Sequence, residues 1–417
     1  MKISEIRQEV FDIAAQAEKR IAPQFAAMEQ IAQKNTLRVM EAFQDHRVSE
    51  ACFAGTTGYG YDDLGRDTLD KIYAQVFGAE SALVRLNFVN GTHAITAALF
   101  ALCRPGEKIL SINGEPYDTL RKAIGIAGDE FGSLKFYGIG YSQVELDEHG
   151  ELDIPAILAA LEDKTIRAVI LQRSCGYGYR KALSTESIRE ACKAIKACRN
   201  DVVIFADNCY GEFTDVLEPT HVGVDLMAGS LIKNPGGGIA PTGAYIAGNA
   251  ELIERAAFRL TSPGIGGEVG STLGNNRLLY QGFFMAPHIV LQALKTAVFA
   301  SAMMEQMGFE TSPASDEKRY DIIQRISMKT PENMKAFCRG IQAGAPVDSY
   351  VSPEPWAMPG YDCDVIMADG SFIQGSSIEL SADGPFKAPY NVFLQGGLTY
   401  ESGKLGIMMA ASAMLSK

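Results

Sequence analysis

The chain has 417 residues, 47% hydrophobic and 21% charged, which is enough apolar material for a large core spread over two or three domains. A formal charge of −12 argues against a nucleic acid or an anionic membrane as partner, since both call for a basic surface. Eight cysteines without CxxC spacing read as reduced thiols of a cytoplasmic protein. Five histidines with no HxH or HExxH pattern predict no metal site.

The first residues, MKISEIRQEVFDIAAQ, are amphipathic and charged, without the apolar stretch of a secretory signal. No uninterrupted apolar run approaches the roughly 18 residues of a membrane span. Ile3, Ile6, Val10, Ile13 and Ala14 recur at helical spacing, so residues 1–49 are expected to form one or two helices packing on a small domain or a partner subunit. A glycine-rich loop, FAGTTGYGYDDLG, leads to the helix TLDKIYAQVFG. From about residue 80, short apolar runs alternate with amphipathic stretches: strands at SALVRLNFV, EKILSIN, LKFYGIG, IRAVILQ, DVVIFAD, DLMAGSLI and GAYIAG, with helices between most of them. Such alternation needs crossover connections and predicts an α/β fold, a mostly parallel sheet covered by helices on both faces. Beyond Phe284 a long helix precedes segments that fit a smaller α+β domain with an antiparallel sheet, among them PVDSYVSP, DVIMADGSF and SSIELS. The expected division is 1–49, 50–285 and 286–417.

Ligands of open parallel sheets sit at the carboxyl ends of the strands. Four stretches fall there. NGTHAI turns from strand to helix at Gly91, Thr92 and His93, and could seat a phosphate or simply cap a helix. Tyr117 in NGEPYDTL is a cofactor-stacking or a packing aromatic. Asp207 in FADNCYGEF ends a buried strand, where a carboxylate wants a cation or caps a loop. GSLIKNPGGG places Lys233 three residues after Ser230. A P-loop has its lysine after the last glycine, so this order excludes that motif. Pyridoxal phosphate needs the whole set: donors for its phosphate, a carboxylate for its ring nitrogen, an aromatic face and a lysine for its aldehyde.

The stretches GYGYDDLGRDTLDKIYAQVFGAE, FVNGTHAI, FADNCYGEF and GSLIKNPGGGIAPTGAYIAG resemble fold-type-I pyridoxal-phosphate enzymes of the Cys/Met-metabolism group. Within it, the sequence is most similar to the bacterial methionine γ-lyase-like, or aluminium-resistance, family. The resemblance implies pyridoxal 5'-phosphate bound covalently to Lys233, with Asp207 at the pyridinium, Ser230, Gly91, Thr92 and His93 at the phosphate, and Tyr117 on the ring with a catalytic role. It also implies a homodimer or homotetramer whose loop 55–66 enters the neighbouring site. Cystathionine-lyase relatives carry Tyr-x-Arg in that loop. Here Tyr61 takes the Tyr place and Asp63 the Arg place, with Tyr59 and Arg66 as substitutes. No arginine stands at the family's substrate-carboxylate place; Lys404 lies near it, and Arg173 is a second candidate. The implied activity is β- or γ-elimination from a sulfur-containing amino acid. The same residues would serve an aminotransferase, and a non-catalytic regulator binding a phosphate ligand is a further reading.

Overall fold

A computed structural model of the chain describes residues 2–128, 131–358 and 363–416. Seven strands form the larger sheet: β1 (Ser81–Arg85), β2 (Lys108–Ser111), β3 (Gly140–Gln143), β4 (Ile166–Gln172), β5 (Val203–Asp207), β6 (Leu226–Ser230) and β7 (Ala244–Gly248). Their spatial order is β1-β7-β6-β5-β4-β2-β3. All neighbouring pairs from β6 to β3 are parallel, and β7 is antiparallel to both β6 and β1. Only β7 is reversed; the glycine-rich link from Ser230 to Ala244 holds one short turn, Asn234–Gly236, and no α-helix that would carry the chain back for a parallel pairing.

The helices are α1 (Gln8–Asp45), α2 (Leu64–Val76), α3 (Gly91–Leu102), α4 (Asp118–Ile124), α5 (Ile154–Ala160), α6 (Thr185–Cys198), α7 (Ala250–Leu260), α8 (Asn276–Gln306), α9 (Pro331–Ala343) and α10 (Tyr400–Leu415). Alternate strand residues go to opposite faces of the sheet. Leu83, Ile170, Phe205, Ala228 and Ile246 pack with α3 and α7, whereas Val84, Leu171, Ala206, Met227 and Tyr245 pack with α2, α6 and α8. Burial on both faces is why these strands read as unbroken apolar runs.

A second sheet is antiparallel, with β8 (Glu310–Ser312), β9 (Ile323–Ser327), β10 (Val365–Asp369), β11 (Ser381–Pro385) and β12 (Asn391–Gln395) in the order β10-β11-β12-β9-β8. Ile326, Ile366, Ala382, Val392 and Leu394 pack against α9 and α10. The opposite face meets the larger domain, where the Tyr177 ring lies 4.9 Å from that of Phe393.

Several expectations are changed or refined. LKFYGIG is not a strand; it is a set of turns, with Leu134 and Ile139 buried against the α3 side, and β3 starts only at Gly140. PVDSYVSP carries no strand, and SSIELS reaches one only at its last residue, Ser381. The N-terminal segment is dominated by one helix of 38 residues that runs through Pro23. Its first half (Val10, Ala14, Ala17, Ile21) packs in the C-terminal core, while Val39 and Ala42 pack in the core of the larger sheet. Helix α8 likewise gives Leu279–Leu294 to one core and Val298–Met304 to the other, so residues 285 and 286 lie inside a continuous helix. Helix α8 is long and apolar enough to cross a membrane, yet 78% of its most apolar stretch is buried within the protein, as expected of a core helix.

Candidate active site

Strand parity assembles the site. Asp207 follows Phe205 by two residues on β5, and Ser230 follows Ala228 by two on β6, so both terminal side chains emerge on the face covered by α3. A β-carbon at Gly91 would stand 3.1 Å from the Ser230 Cβ and 3.6 Å from the Cys209 sulfur. A larger residue there would have to push the Ser230 side chain aside, so glycine eases the close approach of α3 to these strand ends.

Asn90 caps α3 by accepting the His93 amide at 2.9 Å. Among the described residues, the Gly91 and Thr92 amides have no protein acceptor and face outward at the positive end of a twelve-residue helix. This is an anion seat. His93 is a weaker member than the sequence suggested: its amide is already engaged, and its Nδ1 accepts the Val89 amide at 3.2 Å. The Thr92 hydroxyl lies 3.3 Å from the Tyr117 phenol. Burial, reinforced by Asp207 and Cys209, holds that phenol neutral by raising its pKa.

Asp207 is buried, and burial pushes its carboxyl up while the Lys233 charge pulls it down. Its Oδ1 accepts the Cys209 amide at 3.0 Å. Burial by itself would lower the Lys233 ammonium, but Cys209, Tyr210, Asp207 and Tyr117 outweigh it and raise the pKa above that of an ordinary lysine. The Lys233 Nζ sits 3.8 Å from the centre of the Tyr210 ring. Tyr210 adopts a φ of 71°, a left-handed conformation costly for a bulky residue. Asn234, next to Lys233, holds this loop by donating to the Tyr210 carbonyl at 3.0 Å and the Glu212 carbonyl at 2.9 Å. Neither Tyr210 nor Asn234 was picked out from sequence. Their only signals were an aromatic-glycine pair just past Asp207 and an amide directly after the lysine.

The structure thus brings together Gly91, Thr92, Tyr117, Asp207, Ser230 and Lys233. Other candidates lie elsewhere. Arg173 is wholly buried; its Nη1 is committed to Glu218 at 3.1 Å, Asn208 Oδ1 at 2.9 Å and the Gly211 carbonyl at 2.9 Å, and although its Nε and Nη2 have no partner among the described residues, the side chain is closed to solvent. Lys404 is paired with Glu18 of α1 at 2.7 Å. Arg66 does not reach outward either; it is buried, donates to the Gly60 carbonyl at 2.6 Å and pairs with Asp67 at 2.8 Å. Tyr59 and Tyr61 stack on each other at 5.4 Å and are 66% and 59% exposed, outside the cluster of their own chain.

Cavity size does not locate the site. A cavity of about 670 Å³ opens at the amino ends of the strands, among Arg104, Arg167, Asp201, Asp225 and Arg255. Only about 20 Å³ is open beside Asn113, Pro116, Gln172 and Asp207. Chemistry decides for the smaller one, since the lysine, the buried carboxylate and the helix start converge at that end.

A lysine and a buried aspartate at neighbouring strand ends, facing a helix N-terminus, are the groups that a fold-type-I pyridoxal-phosphate enzyme requires. The YhfS protein of Escherichia coli, a pyridoxal-5'-phosphate-dependent protein, shares the fold with a TM-score of 0.63 at 16% identity, over 94% of this chain and 97% of that one. The methionine gamma-lyase family model matches residues 10–415, and the chain belongs to this family. A solved carbon–sulfur lyase involved in aluminium resistance from Clostridium novyi NT is 53% identical over 98% of this chain and 96% of that one, with a TM-score of 0.94. The Bacillus subtilis protein YnbB is 49% identical over 97% of this chain and 96% of its own length. L-methionine gamma-lyase of Pseudomonas putida is 27% identical over 49% of this chain and 47% of its own length.

Proposed function

We propose that the protein is a pyridoxal-phosphate-dependent carbon–sulfur lyase that cleaves a sulfur-containing amino acid by β- or γ-elimination. The observation that carries this reading is the convergence of Lys233, Asp207 and the α3 start in a member of the methionine gamma-lyase family. The residues fit the cofactor. The glycine-permitted approach of α3 to Ser230 leaves two free amides for a phosphate, and the buried Asp207 carboxylate calls for a cationic partner.

Lys233 would hold the cofactor, Gly91, Thr92 and Ser230 its phosphate, Tyr117 its ring face, and Asp207 the proton on its ring nitrogen. When bound, pyridoxal phosphate supplies an electron sink for negative charge developing at the substrate α-carbon. The Lys233 amine would accept the substrate α-proton and return it to a neighbouring carbon or to the leaving sulfur. Lys233 is half-buried and its neighbours Cys209 and Asp207 are buried, which limits the access of water to this proton. Elimination then releases a thiol, and the remaining enamine hydrolyses to a keto acid and ammonia. The exposed Tyr59 and Tyr61 pair suits contact with a second copy of the chain, consistent with a homo-oligomer whose loop 55–66 enters the neighbouring site.

The test is a panel of sulfur amino acids scored for thiol, keto acid and ammonia. Equal release of all three supports the lyase. Amino-group transfer to a keto-acid acceptor without thiol points to an aminotransferase, and no turnover by the cofactor-loaded protein points to a regulator.

A further inference from the structure

We infer that Arg180, on the loop after β4, binds the carboxylate of the amino-acid substrate. This deepens the reading above and rests on it.

The side chain of Arg180 folds back over the end of its own strand. Its Nη2 donates to the Gln172 carbonyl at 2.7 Å and to the Ser174 carbonyl, and its Nη1 donates to the Lys181 carbonyl at 3.0 Å. All three acceptors are neutral, and among the described residues Arg180 forms no ion pair. Three of the five N–H groups of a guanidinium are therefore used and two remain. The charge has no direct ion-pair partner at a half-buried position; burial pulls its pKa down, while Cys175 and the carboxylates of Asp321 and Asp207, too far for a salt bridge, oppose that only in part.

Its location is specific. Gln172 is the register partner of Asp207 in the parallel pair β4–β5. The Gln172 carbonyl that holds Arg180 also accepts the Asn113 side-chain amide at 2.7 Å, on the wall of the small cavity that includes Asp207. Arg180 is thus anchored one strand from Asp207, and both its charge and that of Lys233 lower the Asp207 pKa. A substrate whose amine reaches Lys233 needs its carboxylate held nearby, and the guanidinium fork matches a carboxylate better than any other cation.

Other candidate cations are paired with a carboxylate or closed off from solvent. Arg173 is paired with Glu218, Lys404 with Glu18, Arg66 with Asp67, and Arg325 with Glu310 at 3.4 Å. Arg319 has unpartnered Nε and Nη1 atoms, but it is only 5% exposed and lies beside Asp321 and Glu317, closed to a substrate.

The experiment is a binding titration of the cofactor-loaded protein, read from its visible absorption rather than from turnover. L-methionine is compared with 3-(methylthio)propylamine, the same molecule without its carboxylate. The wild-type protein should prefer the acid. Arg180→Ala should weaken the acid by about tenfold or more while changing the amine by less than about threefold, and Arg180→Lys should recover part of the preference. Equal weakening of both ligands would mean that Arg180 only props its loop, and unchanged binding of both would mean no role; either overturns the inference while leaving the cofactor reading intact. A wild-type protein with no visible band after incubation with pyridoxal phosphate would overturn the cofactor reading, and the Arg180 assignment with it.

Discussion

The Lys233 ammonium rests 3.8 Å above the ring of Tyr210, a residue held at a φ of 71° by the loop that Asn234 ties down. A desolvated cation–π contact of this kind is worth about 2 kcal/mol, or roughly one pKa unit or more. Tyr210→Leu should therefore lower the Lys233 pKa by about one unit, moving the rise in the rate of pyridoxal-phosphate capture by apo-protein to lower pH. Tyr210→Phe keeps the ring, loses only the 3.3 Å hydroxyl contact to Ser377, and should leave the profile in place.

Asp207 is a buried acid with no direct ion-pair partner among the described residues. Asp207→Asn should weaken cofactor retention by about 1.5–3 kcal/mol, the size of a lost charge-assisted hydrogen bond. Equilibrium dialysis measures this directly, and an unchanged dissociation constant would dismiss Asp207 as the ring-nitrogen partner.

Burial raises the Glu212 carboxyl from 4.5 to about 8, although it accepts the Tyr245 hydroxyl at 2.9 Å. The folded protein then keeps a proton that the unfolded chain releases. Stability contributed by this group is complete below about pH 4.5 and is lost as pH rises towards 8, at up to about 1.4 kcal/mol per pH unit. Asp383, raised from 3.8 to about 7, adds loss in the same direction. Urea unfolding of apo-protein at several pH values should show this fall, with a shallower slope in Glu212→Gln. An identical slope in the variant would remove Glu212 from the account.

Arg173 belongs to the fold, bound to Glu218 in the interior. Glu218→Gln leaves that guanidinium buried and uncompensated and should cost about 3–5 kcal/mol in chemical denaturation. The affinity of the remaining folded protein for amino acids should be unchanged.

Much of the site was legible in the chain because its logic is local. Asp207 and Ser230 each end a strand, Lys233 stands three residues after Ser230, and Gly91 opens a helix directly after its cap. What was illegible depends on distant partners. Nothing around Arg173 announces Glu218, which lies 45 residues away and meets it only after β4 and β5 have paired. Arg180 looks like any loop cation until its place beside the end of β4, one strand from Asp207, becomes visible in three dimensions. LKFYGIG has the apolar content of a strand, but Leu134 and Ile139 are buried from turns, which a pattern of residues does not distinguish from burial in a sheet. Helix α1 is a similar case, since its apolar positions serve two cores in succession.

The central claim is that Lys233 is the covalent anchor of pyridoxal phosphate. Borohydride reduction of the cofactor-loaded protein, followed by peptide mass mapping, tests it most directly. The account predicts a single phosphopyridoxyl label on the peptide containing Lys233 and no label in Lys233→Ala. A label on another lysine, or none on a wild-type protein saturated with the cofactor, would contradict it.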